Sequence, residues 1–144
     1  MNVTQLSVFL ENKPGHLQKI LRILYENNIN LKALTIAETS DYGILRIIVN
    51  NPDKAQQVLK ADNILSRKTD VLAIEIEDKP GSLFKAIETF SRKNLNIEYM
   101  YAFSEKKKEN KSVMVFRFDN IESAKNALIE EGYTIVKKID ILGE

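Results

Sequence analysis

The sequence predicts an α+β protein built from two copies of a βαββαβ module. A five-residue segment occurs twice, each copy follows an alternating apolar run and opens a helical pattern, and the same order of elements follows both. The two segments are Glu11-Asn12-Lys13-Pro14-Gly15 and, 66 residues later, Glu77-Asp78-Lys79-Pro80-Gly81. Because self-similarity at a fixed spacing indicates a duplicated unit, we predict one domain over residues 1–69 and a second over residues 70–144.

In the first module, alternating apolar residues predict a strand, and apolar residues at helical spacing predict the helix after Pro14-Gly15. These residues are Leu6, Val8 and Leu10 in the strand and Leu17, Ile20, Leu21 and Leu24 in the helix. A strand over 31–38, a β-branched strand over 44–49, a helix after Pro52 and a closing strand over 64–67 follow. The order is βαββαβ, which is that of a ferredoxin-like sandwich.

The second module repeats this order. Apolar residues again alternate in a first strand, recur at helical spacing after Pro80-Gly81, and mark a third strand and a second helix. They are Leu72, Ile74 and Ile76; Leu83, Ile87 and Phe90; Met114, Phe116 and Phe118; and Ala124 and Leu128. The turn before the third strand is longer than in the first module, because it includes residues 106–111, and a strand over 134–142 closes the module.

The composition excludes several classes of function. A hydrophobic content of 44%, a charged content of 28% and a net charge of +1 are ordinary for a globular protein and give no sign of a nucleic-acid partner. With no cysteine and one histidine, His16, a thiolate or histidine metal site and a conventional catalytic triad are excluded within one chain. No apolar run is long enough to span a membrane and no signal-peptide pattern is present, so we expect a cytoplasmic protein without a metal or cofactor.

The two strand-to-helix loops are the best candidates for a binding site. Backbone N–H groups at the start of a helix have no partner within the helix, and the helix dipole favours an anion there by roughly 0.3–1 kcal/mol. Gly15 and Gly81 would let a ligand approach the backbone without a Cβ in the way. The alternative is that Pro-Gly simply turns the chain and that Asn12 or Asp78 caps the helix.

A second motif extends the repeat, because Asn28-Ile29-Asn30-Leu31 matches Asn94-Leu95-Asn96-Ile97. A strand, the residues Asn/Asp-Lys-Pro-Gly-x-Leu, a helix and this second motif resemble the ACT domain family, twice and over nearly the whole chain. In that family a βαββαβ module binds small effectors, most often amino acids. The chain is similar to small stand-alone regulators made of two ACT domains, and the resemblance therefore implies a non-catalytic amino-acid sensor.

The resemblance implies that the carboxylate of an amino acid binds the N–H groups after Gly15 or Gly81 and that its ammonium binds Asn12 or Asp78. The charge of Asp78 favours the second loop. The candidate ligand-binding residues are Asn12, Lys13, Pro14, Gly15, His16, Leu17 and Asn30 in the first module and Asp78, Lys79, Pro80, Gly81, Ser82, Leu83 and Asn96 in the second. We expect the side chain of His16 to face solvent and at least one of Asn30 and Asn96 to cap a helix.

The resemblance also implies that residues 31–38 pair with residues 97–104. The two sheets would then join edge to edge, with the helices on one face and the ligand sites at the seam. The other face of the sheets is more apolar than a solvated surface, since it includes Ile44, Ile48 and Val115. A homodimer that packs sheet on sheet is the favoured explanation, and helices that cover this face are the alternative.

Three other functions compete with this interpretation. RNA-recognition modules share the βαββαβ order but need exposed aromatic residues on the central strands, and residues 44–49 contain none. Acylphosphatase-like catalysis needs a glycine-rich loop that carries an arginine, and neither loop has one, so we predict that the chain is not an enzyme. A regulatory subunit that acts through a partner enzyme of amino-acid metabolism, with the ligand as a switch or absent, stays open.

Overall fold

The computed structural model describes residues 2–38, 42–104 and 108–138. The described chain divides into two compact units, of which one contains residues 4–69 and the other contains residues 70–138 with Asn2 and Val3. Ten helices and strands lie within the described residues, in the order β1 α1 β2 β3 α2 β4 α3 β5 β6 α4. The predicted α+β class, with ferredoxin-like modules, is confirmed.

In the first unit, a strand and a helix are followed by a hairpin and a second helix. The elements are β1 (Val3–Glu11), α1 (His16–Glu26), β2 (Leu31–Glu38), β3 (Tyr42–Val49) and α2 (Pro52–Ala61). Both β1 and β2 pair with β3 in antiparallel fashion. The N–H of Phe9 donates to the carbonyl of Leu65 at 3.3 Å, which brings the chain after α2 back beside β1.

The second unit has the same order. Its elements are β4 (Ser66–Glu77), α3 (Ser82–Arg92), β5 (Ile97–Ala102), β6 (Lys111–Phe118) and α4 (Ile121–Glu130). Both β4 and β5 pair antiparallel with β6. After α4 the chain returns beside β4, because the N–H of Val136 donates to the carbonyl of Ala73 at 2.8 Å and the N–H of Glu75 donates to the carbonyl of Thr134 at 3.0 Å.

Two sequence predictions about strands need correction. The closing strand predicted over 64–67 and the strand predicted around Leu72 are one strand, β4, because no turn residue interrupts the chain between them. The pairing of residues 31–38 with 97–104 is wrong, since among the described strands β2 pairs with β3 alone and β5 pairs with β6 alone. The alternation within a strand specifies which face is buried and leaves open what meets its outer edge.

Part of the predicted last strand, 139–142, and part of the predicted long turn, 106 and 107, lie outside the described residues.

Each unit has its own apolar core between its helices and one face of its strands. In the first unit the core contains the inward residues of β1 and β3 with the apolar side of α1 and α2. Its fully buried members include Leu6, Val8, Ile20, Leu45, Ile47 and Leu59. In the second unit the ring of Phe90 meets Phe116 and Phe118 edge-on, with ring centroids 5.3 and 5.6 Å apart. These contacts place α1 and α3 firmly over their strands, so that each helix begins at a fixed position.

Several apolar residues on the opposite face of the strands are also buried. Ile48 and Val115 are fully buried and Val113 nearly so, although all three point away from the helices of their own unit. On this face Phe9 and Tyr42 are exposed and Ile44 is partly exposed. The rings of Phe9 and Tyr42 stack with centroids 5.0 Å apart. The homodimer stays a prediction.

Replacing Phe90 by Ala should lower the free energy of unfolding by about 3–5 kcal/mol, because the deletion leaves a cavity among three aromatic rings. The midpoint of urea unfolding reports this loss. Phe84→Ala, on the same helix but 69% exposed, is the matched control and should change stability by less than about 0.5 kcal/mol. Equal losses in the two variants would contradict the packing described here.

Candidate ligand-binding loops

Both candidate loops make the same turn with a glycine in the left-handed region. The φ angles of Gly15 and Gly81 are 91° and 87°, and each glycine is the residue immediately before its helix. An L residue with a Cβ is strained in this conformation by roughly 1–2 kcal/mol. A Cβ added at either position would meet no atom within 4 Å. Backbone conformation, and not lack of space, therefore accounts for the glycine at each site.

The N-termini of α1 and α3 carry no side-chain cap. The contrast with the other two helices is clear, since Asn51 caps α2 and Asn120 caps α4, each accepting a backbone N–H at 3.1 Å. The capping role considered above for Asn12 and Asp78 is thus not what the structure shows. The N–H of His16 donates to the carbonyl of Lys13 at 3.4 Å, and the N–H of Ser82 donates to the carbonyl of Lys79 at 3.2 Å. The N–H groups that an anionic group could use are therefore the next ones in the first turn.

Each loop contains an ion pair between its lysine and the glutamate two residues earlier. The Nζ of Lys13 lies 3.0 Å from a carboxylate oxygen of Glu11, and the Nζ of Lys79 lies 2.9 Å from one of Glu77. A hydrogen bond from Lys13, reinforced by its charge, lowers the pKa of Glu11. Lys79 lowers the pKa of Glu77 in the same way, with further help from the charge of Lys111. Sequence reasoning missed the two glutamates, although they belong to the repeated segment.

His16 and Ser82, the first residues of the two helices, differ in their contacts. The Nδ1 of His16 accepts the N–H of Glu11 at 2.8 Å, so the imidazole joins the end of β1 to the start of α1. The expectation that His16 simply faces solvent is wrong, because its ring is half-buried and bonded to the backbone. Within the described part of the chain, the hydroxyl of Ser82 makes no hydrogen bond, and the second loop lacks this brace.

Two cavities flank each loop. The first lies beside the third strand of the module and measures about 290 Å³ in the first unit and 160 Å³ in the second. Its predicted lining residues are Asn12, Lys13, Pro14 and Leu17 in the first unit and Asp78, Lys79 and Leu83 in the second. The second cavity lies toward the chain segment after α2 or α4 and includes Gly15 and His16, or Ser82, in its walls. The structure thus brings most of the predicted site residues together at the loops.

Asn30 and Asn96 lie at the other end of their modules. Along β3, Tyr42 is opposite Glu11 while Val49 is opposite Leu31. At about 3.3 Å per residue, this puts Asn30 roughly 20 Å from the loop of its own module. Its backbone bonds instead to Asn50, whose side-chain oxygen accepts the N–H of Asn30 at 3.0 Å.

The conformation of the preceding asparagine explains the repeated Asn-x-Asn motif. Asn28 and Asn94 have φ angles of 59° and 60°, in the left-handed region that asparagine tolerates better than most residues. Each follows the last turn of its helix, where such a residue commonly ends a helix. The motif is therefore a helix-to-strand turn by geometry, at the end of the module away from the loop.

Within residues 2–38, 42–104 and 108–138, no helix is both long enough and apolar enough to cross a membrane. The same residues contain no group of three or more His, Cys, Asp or Glu side chains that could bind a metal ion.

The modules, each with a Pro-Gly loop before an uncapped helix, define a class of small α+β proteins, and the family comparison identifies it. Residues 1–143 match the model of the ACT domain pair. The chain therefore belongs to the ACT domain family, as its sequence motifs predict.

Solved structures agree with this assignment. A protein from Bacteroides thetaiotaomicron is 39% identical, with a TM-score of 0.92 over 100% of this chain and 98% of that one. The regulatory subunit of aspartate kinase from Thermus thermophilus, in its ligand-free form, has the same fold at 17% identity, with a TM-score of 0.62 over 90% of this chain and 92% of that one.

A curated relative is the acetolactate synthase small subunit of Buchnera aphidicola subsp. Baizongia pistaciae. It is 26% identical over 125 residues, which is 86% of this chain and 74% of the relative.

Removing Lys79 with the substitution Lys79→Ala should raise the pKa of Glu77 toward the ordinary value of a glutamate. The lowered folded-state pKa adds stability above the unfolded-state pKa, and this stability is lost as the pH falls through the folded-state pKa. The variant should therefore lose less stability on acidification than the parent. Carbon NMR titration of the Glu77 carboxyl measures the shift. Lys13→Ala is the matched control, which should move the pKa of Glu11 and leave that of Glu77 unchanged.

Proposed function

We propose that the protein is a non-catalytic sensor that binds an amino acid at the strand-to-helix loops. The observation that carries the proposal is the pair of helix N-termini without a side-chain cap, each beside a cavity lined by the preceding Asn12 or Asp78. The N–H groups of the first helical turn would bind the carboxylate. The oxygen of Asn12 or Asp78 would bind the ammonium.

The walls of these cavities suit the rest of an amino acid. Leu10, Leu17 and Ile36 give the first cavity an apolar side, and Ile76, Leu83 and Met114 do the same for the second. Apolar walls with a few polar groups at one end are typical of small-molecule sites. The cavity of the second unit is the smaller, which favours a small side chain there.

The second loop is the stronger candidate. The carboxylate of Asp78 would make a charge-assisted hydrogen bond to an ammonium, and such bonds are roughly twice as strong as the neutral bond that Asn12 offers. The second loop has no counterpart of the bond between His16 and Glu11. It is held instead by the N–H of Asp78, which donates to the carbonyl of Asn110 at 2.9 Å.

The alternative is that the protein acts mainly through a partner enzyme of amino-acid metabolism, with the ligand as a switch or absent. The relatives favour this role, because two of them are the small subunit of acetolactate synthase and the regulatory subunit of aspartate kinase. A ligand that binds one conformation more tightly than another shifts the population, and a partner can respond to that shift. We also propose that the chain has two domains, over residues 1–69 and 70–144, and that it forms a homodimer.

A thermal-shift screen over the twenty amino acids should give one hit or a small group of chemically related hits. A ligand present at 100 times its dissociation constant stabilises the folded state by about 2.7 kcal/mol. Asp78→Asn, which copies the residue of the first loop, should weaken the hit, and Asn12→Ala is the matched control at the other loop. A flat screen, or equal loss in both variants, would count against the second loop as the site.

Affinity purification of the tagged chain should recover one catalytic enzyme of amino-acid metabolism if the protein is a regulatory subunit. Adding the amino acid found in the screen should change the recovered amount, because the ligand and the partner would favour particular conformations of the same chain. The Asp78→Asn variant should recover the enzyme but lose the response to the amino acid. Recovery of no enzyme under either condition would leave a free sensor as the function.

A further inference from the structure

The second unit contains a polar cavity that the proposed amino-acid site does not use. It measures about 250 Å³ and lies on the side of the loop that faces the chain after α4. We call it the basic cavity. Three lysines from different elements line it, namely Lys79 of the loop, Lys85 of α3 and Lys111 of β6. The acidic residues in its wall are Glu75 and Glu77 of β4.

Both carboxylates of the basic cavity already have a lysine partner. Glu77 pairs with Lys79 at 2.9 Å, and Glu75, whose side chain is 16% exposed, pairs with Lys108 at 3.3 Å. Lys85 and Lys111 form no ion pair with any described residue. The wall of the basic cavity therefore has one more lysine than carboxylate, and the two carboxylates are already paired with other lysines.

Lys85 and Lys111 both interact electrostatically with Glu77. The charges of Lys111 and Lys85 both contribute to the lowered pKa of Glu77. Lys111 is also the residue directly opposite Glu77 in the pairing of β4 with β6. Lys85 and Lys111 thus both lie near the carboxylate of Glu77, which is paired with Lys79.

The corresponding cavity of the first unit lacks this excess of positive charge. Its walls contain Lys13, which pairs with Glu11 at 3.0 Å, and also Lys19 and Asp62, whose charges balance. Tyr42 occupies the position opposite Glu11 that Lys111 occupies opposite Glu77. The strand pairing is the same in both units, so the cation of Lys111 is a property of the second unit alone among the two.

We propose that the basic cavity binds a small dianion, either a dicarboxylate or a phosphate, between Lys85 and Lys111. Charge-assisted bonds from two ammonium groups supply the attraction, and the unbonded hydroxyl of Ser82 supplies a neutral donor at the same wall. The volume suits a metabolite of a few carbon atoms. This site goes beyond the amino-acid site, because it requires no ammonium group on the ligand. It lies in an adjoining cavity, which shares Ile76, Glu77 and Lys79 with the cavity beside Asp78.

Isothermal titration calorimetry of the whole chain with succinate and, separately, with inorganic phosphate tests the proposal at pH 7.5 and low salt. At least one of the two should bind, and the titration shows which kind of dianion the cavity prefers. Lys85→Gln combined with Lys111→Gln should weaken binding by about tenfold or more, because a hydrogen bond to a charged group contributes about 1.5–3 kcal/mol. Lys19→Gln, at the position of Lys85 in the first unit, is the matched control and should bind as the parent does.

Binding of neither anion, or binding that the Lys85 and Lys111 substitutions leave unchanged, would overturn the proposal. Weaker binding in Lys19→Gln than in the double variant would also overturn it, because the site would then lie in the first unit. A melting curve of each variant without ligand shows whether it is folded. Since succinate has no ammonium group, its failure to bind leaves the amino-acid screen unaffected, and a flat amino-acid screen leaves this titration unaffected.

Discussion

The left-handed glycine before α1 and α3 is the constraint on which the candidate sites depend. Gly15 and Gly81 let the backbone reverse from strand to helix within a few residues, and no side chain has to cap the helix in order to complete the turn. Where the turn uses an asparagine cap, as at α2 and α4, the cap side chain accepts one N–H of the first helical turn. The glycine turn has no such side-chain bond and lies beside a cavity. The tight packing of α1 and α3 on their strands then holds the N–H groups of the first turn in place.

The two duplicated loops have the same backbone conformation but different side chains. His16 braces the first loop by accepting the N–H of Glu11, whereas Ser82 leaves the second without this bond. Asp78 adds a negative charge where the first loop has Asn12, and Lys111 adds a positive charge where the first unit has Tyr42. The second loop thus carries more charge of both signs, and the N–H of Asp78 holds it by donating to the carbonyl of Asn110 at 2.9 Å. The added charge favours a charged ligand there, because hydrogen bonds to ionised groups are stronger than neutral ones.

Much of the fold could be predicted because its elements have strong local signals. Alternation in β1 and helical spacing in α1 gave the order of elements, and the repeat supplied a second, independent reading of each. Asn12 and Leu17 of the loop line one cavity, and their role in binding a ligand stays a prediction. The errors concern relations between distant residues, namely the bond between His16 and Glu11 and the strands that border β2 and β5. None of these relations has a period in the sequence that could reveal it.

By itself, the sequence determined the family, the duplicated βαββαβ order and the position of the two glycine turns, because motif spacing, apolar periodicity and the φ preference of glycine are local properties of the chain. Only the tertiary structure decided which side chains share a cavity. It brought Lys85 of α3 and Lys111 of β6 to one wall, and it put Asn30 at the far end of the module from Gly15. Such pairings arise when helices pack on strands and strands take their register, and both depend on residues far apart in the chain.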